Sequence, residues 1–490
     1  MVIFSSLQFI FRFLPIFLLV YYLVPAKFRN GVLLVGSLVF YASGVPEFVI
    51  LLIILTVINW WFGCKISMAR RSMSRMDSML KDDVGGIYDA GPGGRLLRRV
   101  ETRRQMTHHH AVVFLVVLVV LDAGVLTACK ILALTVDSKL LPLGMSFYIF
   151  KMISFIADCY TGKITKPQTF INTAAYFTMF PQITQGPIMR FDEKYWETKE
   201  KTAFQAERFE KGVFCFIIGL CLKVLLADRI GILWNEIDKI GFESISTPLA
   251  WLGAYGYSFK LYFDFFGYSL MAAGLGMMLG FPFVENFHHP YASDGVAKFY
   301  RDWHVTLGAW FRDYIYFPLG GSHCSKGKNI RNLLIVWLIT GLWHGGTLNF
   351  VIWGLVLGLI IIWEKFVMKD PMEKFKVIGH LHVLVLIPLT WVIFAIPDLG
   401  QLGLYFTRLF PFPGNGGSVG NVDPGDVFRY LNTYWPLLAA SAILCVPATY
   451  RFIEKLYSNA VGKIILIAAF WVAVYYMTIS SSNAFMYFSF

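Results

Sequence analysis

NLLIVWLITGLWHGGTLNFVIWGLVLGLIIIW, from Asn332 to Trp363, contains no Asp, Glu, Lys or Arg. Such a run belongs in hydrocarbon. As one helix it would be about 48 Å long at a rise of about 1.5 Å per residue, against a hydrocarbon core of about 30 Å. It is therefore predicted to break. Gly341, Gly345 and Gly346 bracket His344, and a glycine pair both loosens a helix and frees backbone groups that need polar company. A titratable ring beside irregular intramembrane backbone is a functional-site candidate.

The rest of the chain has the same character. Of 490 residues, 57% are hydrophobic and 15% charged, too apolar for a water-soluble enzyme and fitting an all-α polytopic membrane protein. The net charge of +12 does not point to nucleic acid, because much of the basic excess falls between apolar runs, where the positive-inside rule expects it. The seven cysteines are scattered without a CxxC pair, so neither a zinc site nor a disulfide framework is predicted.

Taken in order, Phe4 to Val24 reads as a retained first span, Val32 to Ser43 as a short second and Pro46 to Cys64 as a third. Lys65 to His110 follows, a basic loop with ten Lys and Arg, predicted to be cytoplasmic, which puts the N-terminus outside. Its glycine-rich part, DDVGGIYDAGPGG, reads as flexible, and His108 to His110 as a chance triple rather than a metal site. Ala111 to Leu134 is a strong span. Leu143 to Tyr160 is a weaker one, interrupted by Lys151 and Asp158 on one helix face. Thr169 to Gly186 suits a re-entrant piece and Glu193 to Lys211 a polar segment outside the hydrocarbon. Gly212 to Ala227 and Leu249 to Phe281 are apolar helix, the latter with Lys260 and Asp264 spaced for an intrahelical pair. Val377 to Ile396, Leu402 to Phe412, Tyr434 to Val446 and Ile464 to Ile479 close the chain, with a loop from Pro411 to Gly425. The expected total is about eleven crossings plus re-entrant and interfacial pieces.

Ala297 to Gly321 differs in kind. Phe299, Trp303, Leu307, Trp310, Phe311 and Tyr314 recur at helical spacing, whereas Arg301, Asp302, Arg312 and Asp313 make a lone crossing costly. It reads as one interfacial or protein-buried helix carrying His304.

If His304 and His344 meet, the natural chemistry is acyl transfer to a hydroxyl. An alcohol attacks well only when a base takes its proton, and neutral imidazole does so at physiological pH. That help is about 10² to 10⁴ in rate, roughly 3 to 5 kcal/mol. His304, Asn349 or backbone N–H groups at the glycine break are candidates to stabilise the oxyanion. The alternatives stay open: an intramembrane histidine that only bonds between helices, tryptophans that only pack, and a charge cluster at Arg301, Asp302, Arg312 and Asp313 that is structural. Cys324 lies near these motifs but lacks an activating signature. No P-loop or HExxH motif occurs.

FYRDWHVTL (Phe299 to Leu307), WFRDYIYFPLGG (Trp310 to Gly321) and LITGLWHG (Leu338 to Gly345) resemble the membrane-bound O-acyltransferase family. The likeness is to its bacterial branch that acetylates exported polysaccharides, typified by the alginate O-acetyltransferase membrane subunit. PLGMSF (Pro142 to Phe147), FPQ (Phe180 to Gln182) with Gly186 and Pro187, YFDF (Tyr262 to Phe265) with Gly267 to Ser269, ENF (Glu285 to Phe287) and YFSF (Tyr487 to Phe490) extend it over most of the chain. The longer loop from Lys65 to His110 and the pair His288 and His289 depart from the branch's pattern.

The resemblance implies one integral membrane acyltransferase domain over residues 1–490, with core motifs in 297–363 and helices ringed around a central funnel. It implies His344 as base and His304 as the second motif histidine. Substrate contacts are expected at Trp303, Trp310, Arg312, Asp313, Tyr316, Trp343 and Asn349. No metal or bound cofactor is expected; the donor would be acyl-CoA or another acyl thioester arriving from the cytoplasm. An extracytoplasmic partner protein and a polysaccharide acceptor are implied, in the cell membrane. D-alanyl transfer toward teichoic acid is the alternative within the family. A polysaccharide or lipid transporter without chemistry, or a scaffold subunit, are alternatives of other classes.

Overall fold

In the computed structural model, residues 3–81, 92–199, 204–411 and 422–479 are described. Among them no strand joins a sheet, and one isolated antiparallel bridge links Phe287 to Trp303. The all-α expectation holds. Among the described residues six helices are long and apolar enough to cross a membrane. Two compact units form, one from Phe11–Phe204, the other from Ile3–Ile10 with Gln205–Phe490.

The first unit contains α1 (Leu14–Leu23), α2 (Arg29–Ala42), α3 (Val49–Lys81), α4 (Pro92–Thr135), α5 (Met145–Thr161), α6 (Phe170–Thr178), α7 (Phe180–Ile183) and α8 (Glu193–Lys199). The segment expected as an open loop from Lys65 to His110 is, where described, mostly helix: α3 continues to Lys81 and α4 begins at Pro92. Local side-chain pairing explains the correction. Arg104 bonds Asp77, and Met73, Met76 and Ala111 form a small apolar core between the two helices. Most of the glycine-rich stretch falls in residues 82–91, outside the described residues. His108 faces Tyr160 Oη at 3.2 Å.

Lys151 and Asp158 on α5 are both buried. Lys151 Nζ donates to Tyr176 O at 2.9 Å, and Asp158 pairs with Lys163 at 3.2 Å. Lys151 is thus satisfied by a backbone carbonyl in the interior, and Asp158 by a lysine whose side chain is exposed. The expected re-entrant piece is two short buried helices, α6 and α7, parted at Met179.

The second unit begins with α9 (Ala206–Cys221), a π-helical turn Leu222–Ala227, α10 (Asp228–Ile240) and α11 (Thr247–Met278). Two glycine pairs set the contact of α9 with α11. A Cβ on Gly219 would lie 2.4 Å from Gly267 O, and one on Gly212 would lie 2.7 Å from Gly274 O. Backbones can approach this closely only where side chains are absent. Asp264 of α11 does not form the expected ion pair with Lys260. Its partner is Lys223 Nζ at 2.8 Å, which also bonds Asp228 at 2.5 Å. The Lys260 ammonium instead lies over the Tyr257 ring. The π-helical turn holds Lys223, and such turns re-aim side chains by inserting one residue.

Beyond these come α12 (Val296–Asp302), α13 (Val305–Phe311), α14 (Lys326–His344), α15 (Leu348–Phe366), α16 (Lys369–Lys374) and α17 (Lys376–Ala395). The unit closes with α18 (Leu399–Leu409), α19 (Asp426–Leu444), α20 (Pro447–Leu456) and α21 (Ala460–Ile479). Residues 412–421 of the loop expected from Pro411 to Gly425, and the YFSF motif, lie outside the described residues.

Candidate active site

The break predicted in the uncharged run is present. α14 ends at His344, Gly345 is extended, and α15 starts at Leu348. The two helices form a tight hairpin because glycines face each other: a Cβ on Gly341 would sit 2.4 Å from Phe350 O, and one on Gly354 would sit 2.5 Å from Trp337 O. Gly345 has no room either, since its Cβ would lie 2.3 Å from the Phe350 ring. The hairpin leaves His344 at the bend, its ring edge-on to Trp353 at 5.0 Å and to Phe394 at 5.3 Å between centroids.

The segment carrying His304 is not one helix, as its aromatic spacing suggested. It turns between α12 and α13, where His304 takes a left-handed conformation with φ +46°, a costly one for a residue with a Cβ. Tertiary contacts hold that turn. His288 N–H donates to Asp302 O and Val305 N–H to Asn286 O, both at 2.9 Å, so residues 286–288 run beside 302–305. The imidazole packs edge-on against Phe265, 4.7 Å between centroids, and its Nδ1 lies 3.1 Å from Asn286 Oδ1. His304 lies in none of the six candidate spans. Burial pushes its imidazole down to about 3, so the ring is neutral at physiological pH.

Glu364 anchors the start of α12. Its carboxylate accepts from Val296 N–H and Ala297 N–H, both at 2.8 Å, and lies 3.3 Å from His382 Nδ1. A buried acid at a helix start satisfies free N–H groups and suits the helix dipole.

His304 and His344 line one cavity of about 750 Å³. Of the expected substrate contacts, Trp303, Arg312 and Tyr316 line it too. Trp310, Asp313, Trp343 and Asn349 are not among its lining residues. Trp310 packs on Phe311 and Tyr314, Asp313 pairs with Arg312 at 2.8 Å, and Trp343 packs on the His344 ring. Asn349 is fully buried and its Nδ2 donates to Ile393 O and Phe394 O at 3.1 and 3.2 Å. Thr347 Oγ1 donates to its Oδ1 at 2.6 Å. Its amide therefore ties α15 to the end of α17. Cys324 Sγ bonds Gly321 O and is not on the cavity wall. Among the described residues no three His, Cys, Asp or Glu side chains gather as a metal site.

The model of the membrane-bound O-acyltransferase family matches residues 97–372, which includes both histidines and most of the cavity wall. The chain belongs to the membrane-bound O-acyltransferase family. It is a multi-pass membrane acyltransferase. It is similar to a protein named probable alginate O-acetylase from Pseudomonas syringae pv. tomato, 35% identical over 84% of this chain and 75% of that protein. It is also similar to a peptidoglycan O-acetyltransferase of Helicobacter pylori, 27% identical over 81% of this chain and 77% of that protein. Likeness to a teichoic acid D-alanyltransferase of Bacillus subtilis is 30% over 46% of this chain and 60% of that protein.

Three residues of this O-acyltransferase escaped the sequence reading of the site. Trp391 stacks with Trp353 and contacts Trp303 at 5.1 Å, closing an aromatic wall from His344 toward the His304 turn. Glu364 was visible as the acid ending a long apolar run, but its target lies 68 residues away. Asn286 was visible only as part of ENF.

Proposed function

We propose that this O-acyltransferase moves an acetyl group from a cytoplasmic thioester toward hydroxyls of an exported or cell-surface polysaccharide, with His344 as general base. The observation that carries the reading is that His344 and His304 border the same cavity, beside the similarity to alginate and peptidoglycan O-acetylating proteins. In the transfer, the hydroxyl O–H bond breaks as His344 takes the proton and oxygen attacks the thioester carbonyl. The C–S bond then breaks and the leaving thiolate takes the proton back. Trp303, Arg312 and Tyr316 border the reactants. Lys298, Arg301, Lys365 and Lys369 on the cavity wall suit the phosphates of a coenzyme or carrier-bound thioester.

The basic residues of Lys65 to His110 support a cytoplasmic side for that segment and an outside N-terminus. The acceptor is reached through an extracytoplasmic partner protein, and residues 297–363 form the catalytic core of a single acyltransferase domain. The test is ester content of the surface polymer in cells with wild type or His344→Ala at equal membrane levels. Loss of acetyl ester supports the reading, and unchanged ester content overturns it. Aminoacyl in place of acetyl ester would assign the chain to D-alanyl transfer.

A further inference from the structure

Residues 65–110 hold eight of the chain's 19 arginines but only two of its 24 lysines, and ten basic residues there stand against five Asp and Glu. Charge that only marks one side of a membrane is supplied equally well by lysine. Arginine is the residue that grips a carboxylate through two parallel N–H bonds. Where described, these residues form a two-helix arm, the end of α3 beside the start of α4. The inner face of the arm is occupied: Val100 packs on the cluster of Met73, Met76 and Ala111, and Arg104 pairs with Asp77. A second face of α4 is not. Leu96, Arg99, Arg103 and Met106 follow one another at i, i+3, i+7 and i+10, which aligns them along one side of the helix. All four are exposed, Leu96 and Met106 at 62% each. Among the described residues neither Arg99 nor Arg103 has a carboxylate partner.

The arm stands away from lipid. α4 runs unbroken over Pro92–Thr135, so its first turns continue the direction of its apolar span and do not lie down on the membrane surface. At a rise of about 1.5 Å per residue, Arg99 is about 18 Å and Leu96 about 22 Å beyond Ala111. A headgroup layer of about 5 to 8 Å and a further Debye length of about 8 Å both end short of them. The apolar ends of the stripe argue against nucleic acid, whose phosphates ask only for cations and hydrogen-bond donors, whereas arginine and methionine together are the mark of protein interfaces. We propose that the face formed by Leu96, Arg99, Arg103 and Met106 docks a soluble cytoplasmic protein whose surface sets carboxylates beside apolar side chains. This rests on the cytoplasmic side proposed above for the segment. Arg99 and Arg103 take the carboxylates, and Leu96 and Met106 bury against the apolar groups and keep water from the ion pairs.

The test places a photo-crosslinking amino acid at Leu96 or Met106 of the full-length protein in living cells, with Val120, exposed on the apolar span, as the control position. A protein adduct at Leu96 and Met106 and none at Val120 is expected. The protein identified in the adduct by mass spectrometry is then purified and titrated against the acyltransferase in phosphatidylcholine nanodiscs. Arg99→Gln with Arg103→Gln should weaken binding about 30-fold or more, the scale of an interface hot spot. Arg99→Lys with Arg103→Lys keeps the charge, and with it the membrane orientation, but loses the planar fork; a loss of about 3- to 10-fold is expected. Lipid or nucleic-acid adducts in place of protein overturn the proposal, as does a partner whose affinity shifts less than twofold in the Gln pair. Topology is read separately. Thr102→Cys, at an exposed position, should react with a membrane-impermeant maleimide, above the wild-type background, only once the membrane is opened. Labelling in intact cells overturns the cytoplasmic assignment, and the expected labelling without any protein adduct overturns the docking face alone.

Discussion

The His344 ring meets the Trp353 indole edge-on, with centroids 5.0 Å apart and planes at 87°. His344 ends α14 while Trp353 lies one turn into α15, so the contact spans the glycine break and fixes the imidazole relative to both arms of the hairpin. Trp353 is 1% exposed and continues the wall through Trp391 to Trp303. Aromatic packing thus holds the His344 imidazole in place at the helix end.

Trp353→Ala should cost about 3 to 5 kcal/mol of stability, typical of a buried aromatic replaced by alanine, and should remove most transfer activity. Trp353→Phe keeps much of the packing and should be intermediate in both. Thermal unfolding in detergent and ester content read the two effects separately.

Gly354→Val would push a side chain toward Trp337 O, where even a Cβ would lie 2.5 Å away. The hairpin of α14 and α15 must then open, at about 1 to 3 kcal/mol or more for overpacking. Reduced membrane levels and an inactive protein are expected. Gly327→Ala is the control, because no atom lies within 4 Å of its Cβ position, and it should behave as wild type in the same blot and ester assay.

Lys223→Met removes the cation between Asp264 and Asp228. Stranding the buried Asp264 carboxylate should cost about 3 to 5 kcal/mol. Adding Asp264→Asn should return part of the loss, and a double-mutant cycle on thermal unfolding measures it. Lys260→Met should be milder, because Lys223, not Lys260, is the ion-pair partner of Asp264.

Asn349→Ala tests the structural assignment of that amide. Two backbone carbonyls lose their donor, so a loss of about 1 to 3 kcal/mol is expected. Donor KM should stay near wild type. A large rise in KM with unchanged stability would return Asn349 to the substrate-binding set.

Glu364→Gln weakens two charge-assisted bonds to the start of α12. A cost of about 1 to 2 kcal/mol is expected, and turnover should fall with it, because α12 leads directly into the His304 turn. Hydrogen exchange at residues 296–306 should rise in this variant, and unchanged exchange would refute the anchoring role.

Local chemistry already determined much of this protein. The uncharged run required hydrocarbon, its length required a break, and Gly341, Gly345 and Gly346 marked where the break falls. The motifs around His304 and His344 carried the family. Those features are encoded over a few turns of chain, where composition and spacing speak directly. Tertiary structure decided the rest. It turned the chain at His304, gave Asp264 the distant Lys223 in place of the nearby Lys260, spent the Asn349 amide on α17, and set Asn286 against His304. A buried polar group takes whichever partner packing delivers, and in a desolvated interior that choice outweighs local spacing.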